Sequence, residues 1–172
     1  LQKHKLLDRP IHIISANLHS VMNTLHAPRA LKALCEKQGI FNVYDILSKE
    51  ENESLRNKIK QTALQEGMIY IKDTSGTNID VQIFDMSKTS FSKSEPNSKP
   101  LTSEAVLIVM DYAFGEQAYE TIDELLKPFK VGSDKTHLNV DSISVMGKAG
   151  ILDGSKGDIM IPSAHIFEGT AD

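Results

Sequence analysis

Five consecutive apolar residues at 106–110, VLIVM, are followed within five residues by a glycine and then by a helix-forming run, GEQAYETIDELL. An apolar run without alternation is the pattern of a strand buried on both faces. Such a strand needs a layer on each side, and the order strand, glycine, helix is half of a βαβ unit. The pattern predicts a helix over 119–129, YETIDELLKPF, and a second strand over 142–147, SISVMG. In α/β sheets a ligand sits beyond the carboxyl ends of the strands. The turns 111–115 and 147–150 are therefore expected side by side at one pocket. The fold class expected is α/β, a mixed sheet flanked by helices, with an α+β segment before it.

That preceding segment reads as follows. Pro10 opens the apolar stretch IHIISANL, a predicted strand, and Ser20 is placed to cap the helical turn VMNTLHA. Pro28 suits the first position of a next helix, where its missing N–H would be unpaired anyway, and Gly39 suits that helix's stop. FNVYDIL reads as a short helix or turn. Ser48 with Glu51 forms a capping-box pattern for a helix over 49–66, with Leu55, Ile59 and Ala63 as its inner stripe and Gly67 at its end. MIYIKD at 68–73 and NIDVQIFDM at 78–86 flank TSGT, which predicts a β-hairpin. Ile79, Val81 and Ile83 alternate there with Asp80, Gln82 and Phe84, a sheet wetted on one face. The Ser-, Lys- and Pro-rich stretch 87–103 is too poor in apolar surface to offset the entropy of ordering it and reads as a mobile loop. The expected division is 1–86, the loop 87–103, and 104–172, or one continuous domain.

The totals remove several classes. Hydrophobic content of 40% and charged content of 24% over 172 residues are those of a globular domain. A net charge of −4 gives no footprint for nucleic acid. No apolar run reaches the roughly 20 residues of a membrane span, and no secretory leader pattern is present. The single Cys35 allows no internal disulfide and fits the cytoplasm. His12, His19 and His26 recur every seven residues, two helical turns. Pro10 and the strand-like IHIIS break that helix, so a metal site is not expected.

One stretch carries a resemblance. The run GKAGILDGSKGDIMIPSAHIFEGT at 147–170, preceded by FGEQAYETIDELL, resembles the nucleoside phosphorylase superfamily and most of all its AMP nucleosidase branch. That branch has a Gly-Lys-small-Gly-Gly-Leu turn, a Gly-Asp strand rich in Leu, Ile and Pro, and a Glu-Gly-Thr end. The resemblance covers 106–170. It implies a nucleoside-phosphorylase-like sheet, a nucleoside or nucleotide ligand, homo-oligomers, and cleavage of an N-glycosidic bond through an oxocarbenium-like ribosyl group. It implies no cofactor, with phosphate as a co-substrate or effector.

Residue by residue, the resemblance places Gly115 and Glu116 at the turn that holds phosphate. Gly147, Lys148, Ala149 and Gly150 would line the ribose and base, and Glu168, Gly169 and Thr170 would close over them. Glu116 departs from the small or hydroxyl residue of the relatives. A carboxylate about 4 Å from a phosphate charge costs roughly 4 kcal/mol at an effective dielectric of about 20, though a first-turn Glu also simply complements the helix dipole. Lys148 either neutralises a phosphate or points to solvent. Glu168 either accepts from ribose hydroxyls or is a surface Glu. Asp158 reads as a turn cap at the start of a strand IMIPSAHI. His165, at that strand's carboxyl end, titrates in the range of an acid or base or is a satisfied edge histidine. The family's base-protonating carboxylate comes from segments beyond Asp172, so no catalytic residue is assigned. The chain is expected to be a piece of a longer protein, an incomplete domain without nucleosidase activity of its own. The alternative reading is a non-catalytic nucleotide-binding or assembly protein on the same scaffold.

Overall fold

The computed structural model describes residues 1–89, 104–113, 115–147, 152–155 and 158–161. Its centre is a five-stranded sheet built from β1 (Ile11–Ser15), β2 (Ile69–Ile71), β3 (Val81–Asp85), β4 (Val106–Met110) and β7 (Val140–Val145), in the order β2-β3-β4-β1-β7. β1 runs parallel to both β4 and β7, and β3 is antiparallel to β4 and to β2, so the sheet is mixed. A separate hairpin joins β5 (Phe129–Val131) to β6 (Asp134–Thr136). The helix expected over 119–129 ran through Phe129, where this hairpin begins.

The helices are α1 (Leu18–Ala30), α2 (Lys32–Gln38), α3 (Ile40–Leu47), α4 (Glu53–Gln65) and α5 (Gly115–Leu126). The four N-terminal helices cover one face of the sheet. There Met22, Leu25, Val43, Leu47, Ile59 and Ala63 meet Phe84, Leu107 and Val109. On the other face Ile122 and Leu125 of α5, with Leu6 and Leu138, pack on Ile11, Ile13, Ile83, Val106, Ile108 and Met110. Every residue of β4 is buried, as a run apolar on both sides demands.

Several local readings change in the structure. Asn17, not Ser20, caps α1, its side chain accepting from the His19 N–H at 2.9 Å. α1 then runs through Pro28 to Ala30. A proline inside a helix removes one ladder bond and costs about 3 kcal/mol. Here it falls in the last turn, and Leu25, Ala27 and Ala30 keep the same face buried. No capping box starts α4. Ser48 Oγ donates back to the Asp45 carbonyl at 2.7 Å, and a 3-10 turn, Glu50–Asn52, intervenes. β3 is covered on both faces: Gln82 is 2% exposed and Phe84 1%. The one-sided wetting expected from its alternation is absent because the helical layer lies over the polar side.

Two polar clamps hold the layers. Arg9 donates to the Glu104 carbonyl at 2.6 Å and the Ala105 carbonyl at 3.2 Å, and pairs with the buried Asp85 at 2.8 Å. This ties the entry to β1 against the start of β4. Between α1 and the end of α4, Glu66 accepts from His26 Nδ1 at 2.7 Å, from Arg29 Nε at 2.8 Å and from a second Arg29 nitrogen. His26 is 1% exposed and stacks on Phe84, ring centres 5.7 Å apart.

Burial lowers the His26 pKa, and the Glu66 hydrogen bond and charge only partly oppose it. Burial pushes the Glu66 carboxyl up, but the Arg29 and His26 hydrogen bonds outweigh it and the net shift is downward. Both groups therefore take up protons more readily when unfolded. The His26 contribution is complete above its ordinary value of 6.5 and is lost as pH falls below it. The Glu66 contribution is lost below its ordinary value of 4.5. Urea unfolding between pH 8 and 4 should show stability declining on acidification from about pH 6.5, and His26→Gln should flatten the upper part of that decline. Removing the central aromatic, Phe84→Ala, should lower stability by about 3–5 kcal/mol in the same assay.

Candidate functional site

β1, β4 and β7 end at one edge of the sheet, with Ser15 paired to Met110 on one side and Val145 on the other. The Ala16 N–H donates to the Met110 carbonyl at 3.0 Å, and the Met146 N–H to the Ser15 carbonyl at 2.9 Å. From β1 the chain leaves to α1 on one face; from β4 it leaves to α5 on the other. Where two adjacent parallel strands send their helices to opposite faces, a crevice opens between their carboxyl ends. Here that crevice lies between 15–17 and 111–113.

The two glycine turns both reach this edge but do not adjoin. β1 separates β4 from β7, so Gly115 and Gly147 follow strand tips two spacings apart, about 10 Å. The expectation of neighbouring tips fails because a helix-joined strand pair needs only a shared sheet, and IHIIS, buried through Ile11 and Ile13, occupies the place between. Gly115 has φ +55° and Gly147 no such constraint; a Cβ at either would meet open space.

The β4 side of the crevice is walled by carboxylates. In the loop 72–80, Asp73 accepts from the N–H groups of Ser75, Gly76 and Asn78 at 2.8–3.0 Å and from Ser75 Oγ at 2.6 Å. These bonds, Ser75's first, hold its carboxyl far below the usual range. Asp80 accepts from the Asp73 N–H at 2.8 Å and from the Tyr70 hydroxyl. Those two bonds, Asp73's first, lower the Asp80 carboxyl. The bond to Asp80, with lesser help from burial and the nearby Asp111 charge, pushes the Tyr70 phenol up to about 12. The Asp111 N–H donates to the Asp80 carbonyl at 3.0 Å, and Gln117 in the first turn of α5 donates to the Thr77 carbonyl at 2.6 Å. The Gln117 bond brings the acidic loop 72–80 against the first turn of α5, which itself carries Glu116 and follows Asp111. Glu116, in that first turn, complements the helix dipole.

On the β1 side a groove of about 580 Å³ opens between α1 and the end of α3, lined among others by Asn17, Ser20, Asn23, Tyr44, Leu47 and Arg56. Arg56 donates to the carbonyls of Leu47, Lys49 and Glu50 at 2.5–2.9 Å and so fixes the loop that forms one rim. Thr24 Oγ1 returns to the Ser20 carbonyl at 2.9 Å. Asn23 Oδ1 is closed to solvent and, among the described residues, has no partner, at a cost of about 1–3 kcal/mol. Motif reading passed over this groove. The available signal was spacing: Asn17, Ser20, Asn23 and Thr24 repeat a polar side chain every three or four residues on one side of α1.

Of the residues singled out from the sequence, Gly115, Glu116 and Gly147 stand at this edge. Lys148, Ala149, Gly150, His165, Glu168, Gly169 and Thr170 lie outside the described residues, as does most of the stretch 87–103. The strand expected from Ile159 is not formed over 158–161. Asp158 accepts from the Ser155 N–H at 2.7 Å, the turn cap its position suggested. His12 is on β1, its Nδ1 2.7 Å from Ser142 Oγ, while His19 and His26 are on α1. His19 lines the groove and His26 is in the core.

Comparison with known proteins adds a family and nothing further. A family model described as "Family of unknown function (DUF6909)" matches residues 40–171, from α3 onward. No curated protein and no solved structure matches the chain.

The two turns should respond differently to a methyl group. Gly115→Ala forces a side chain into the left-handed region and should cost about 1–2 kcal/mol in thermal or urea unfolding. Gly147→Ala should change stability by less than about 0.5 kcal/mol.

Proposed function

The chain belongs to the DUF6909 family. We propose that it binds a nucleoside at the carboxyl edge of β4, β1 and β7. The observation that carries this reading is the topological switch between β1 and β4, with an open glycine position, Gly115 or Gly147, beyond it on each side. Backbone free of side chains lets a flat ligand approach closely, and a switch crevice is where α/β sheets take ligands. The resemblance of 106–170 to nucleoside phosphorylases supports the same class.

The carboxylates choose within that class. Ribose hydroxyls are donors that Asp111 and Glu116 can accept, whereas a phosphate would be repelled by them and by Asp73 and Asp80. A nucleoside therefore fits better than a nucleotide. In N-glycosidic cleavage the same charges favour water over phosphate as the acceptor. Binding without turnover is the second reading, favoured by Glu116 at the turn where the relatives hold phosphate.

Thermal shift and calorimetry test the proposal. Adenosine or inosine should raise the melting temperature, with about 2.7 kcal/mol of stabilisation at one hundred times Kd. Inorganic phosphate and AMP should act less strongly, and Glu116→Ser should strengthen phosphate binding. No response to any nucleoside at millimolar concentration, or a larger response to phosphate alone, would overturn it.

A further inference from the structure

Acceptors outnumber donors on the rim of the groove between α1 and α3, and we propose that this groove binds an uncharged, polyhydroxylated ring of hexopyranose type. The imbalance comes from protons already committed. Thr24 Oγ1 donates to the Ser20 carbonyl at 2.9 Å, and Ser48 Oγ donates to the Asp45 carbonyl at 2.7 Å. Toward a ligand each of these oxygens can only accept. The Glu50 carboxylate only accepts as well. All three are exposed residues of the lining, within reach of a solute.

The donors are fewer. The Asn17 side-chain oxygen is bound to the His19 N–H, which leaves its amide nitrogen to donate, and the Ser20 hydroxyl can do either. Arg56 is turned onto the carbonyls of Leu47, Lys49 and Glu50. A phosphate or carboxylate brings acceptors only and would set lone pairs against those of Thr24, Ser48 and Glu50. An ammonium brings donors, but Arg56, bonded to the Glu50 carbonyl at 2.9 Å, places a positive charge beside the one carboxylate that would hold it. A sugar hydroxyl carries a donor and an acceptor together and no charge.

The rest of the lining agrees with such a ring. Tyr44 and Leu47 supply its apolar part and are held in place by packing in the helical core. A pyranose presents C–H groups on its faces and hydroxyls around its rim, which matches one apolar wall bordered by polar groups. A volume near 580 Å³ lies within the range of small-molecule pockets and leaves space for bridging water around a single ring. The groove is bordered by α1 and α3, not by Gly115 or Gly147, and the inference does not depend on the nucleoside reading above.

NMR titration of the 172-residue chain tests the inference, with the amide signals of α1 and α3 followed as methyl α-D-glucopyranoside, inorganic phosphate or methylammonium is added. Thr24→Val and Ser48→Ala each remove an accepting oxygen, Thr24→Ser keeps it, and Ser20→Trp fills the groove; melting curves show that each variant folds. The expected result is millimolar binding of the glucoside that shifts signals around Ser20, Thr24 and Tyr44. That binding should weaken about fivefold in Thr24→Val or Ser48→Ala, the worth of one hydrogen bond, persist in Thr24→Ser and be lost in Ser20→Trp. Absence of these shifts at high millimolar glucoside overturns the proposal. So does an affinity unchanged in Thr24→Val and Ser48→Ala, or tighter binding of phosphate or methylammonium than of the glucoside.

Discussion

The parallel pairing of β1 on both of its edges is the contact the rest of the molecule depends on. β1 is five residues long, yet it joins β4 to β7, strands that have no hydrogen bond to each other. Without it the sheet would be the antiparallel trio β2-β3-β4 with β7 detached. Ile11 and Ile13 are fully buried on the α5 face, and Ile14 packs on the helical face. Hydrophobic burial on both sides of so short a strand is what holds it at the centre. Arg9 fixes the register from one end, through Asp85 and the carbonyls before β4, and the Ala16 and Met146 hydrogen bonds fix it from the other.

The site follows from that placement. Because β1 lies between them, the turns after β4 and β7 open on opposite sides of a third strand tip, and that tip carries Asn17. Two different surfaces meet there. The β4 side is crowded with carboxylates kept ionised by backbone N–H groups. The β1 side is an amide- and hydroxyl-lined groove with a loop pinned by Arg56. His26 and Glu66 stand apart from both and join α1 to the end of α4.

Much of the fold could be read from local pattern. The run VLIVM announced a two-sided strand, and IHIIS, the hairpin around TSGT, and the Ile59–Ala63 stripe each appeared near their expected residues. Boundaries failed where a competing contact won. Pro28 stayed inside α1 because the buried face of that helix continued past it. Ser48 turned back to Asp45 rather than forward to a helix start. Gln82 was read as a wet position because alternation reports polarity, not what lies over it. The hairpin at 129–136 went unseen because Lys130, Lys135 and Gly132 carry no strand period.

The sequence by itself determined most of the strands and helices, that glycines follow two of the strands, and that one of those turns carries Asp111 and Glu116. These are properties of short windows, set by side-chain period and charge. Only the tertiary structure decided that β1 separates β4 from β7, that β3 is covered on both faces, and that α1 and α3 leave a groove beside Asn17. Those facts arise from which apolar faces find each other across long sequence separations, and many orders of the same strands satisfy the same local pattern.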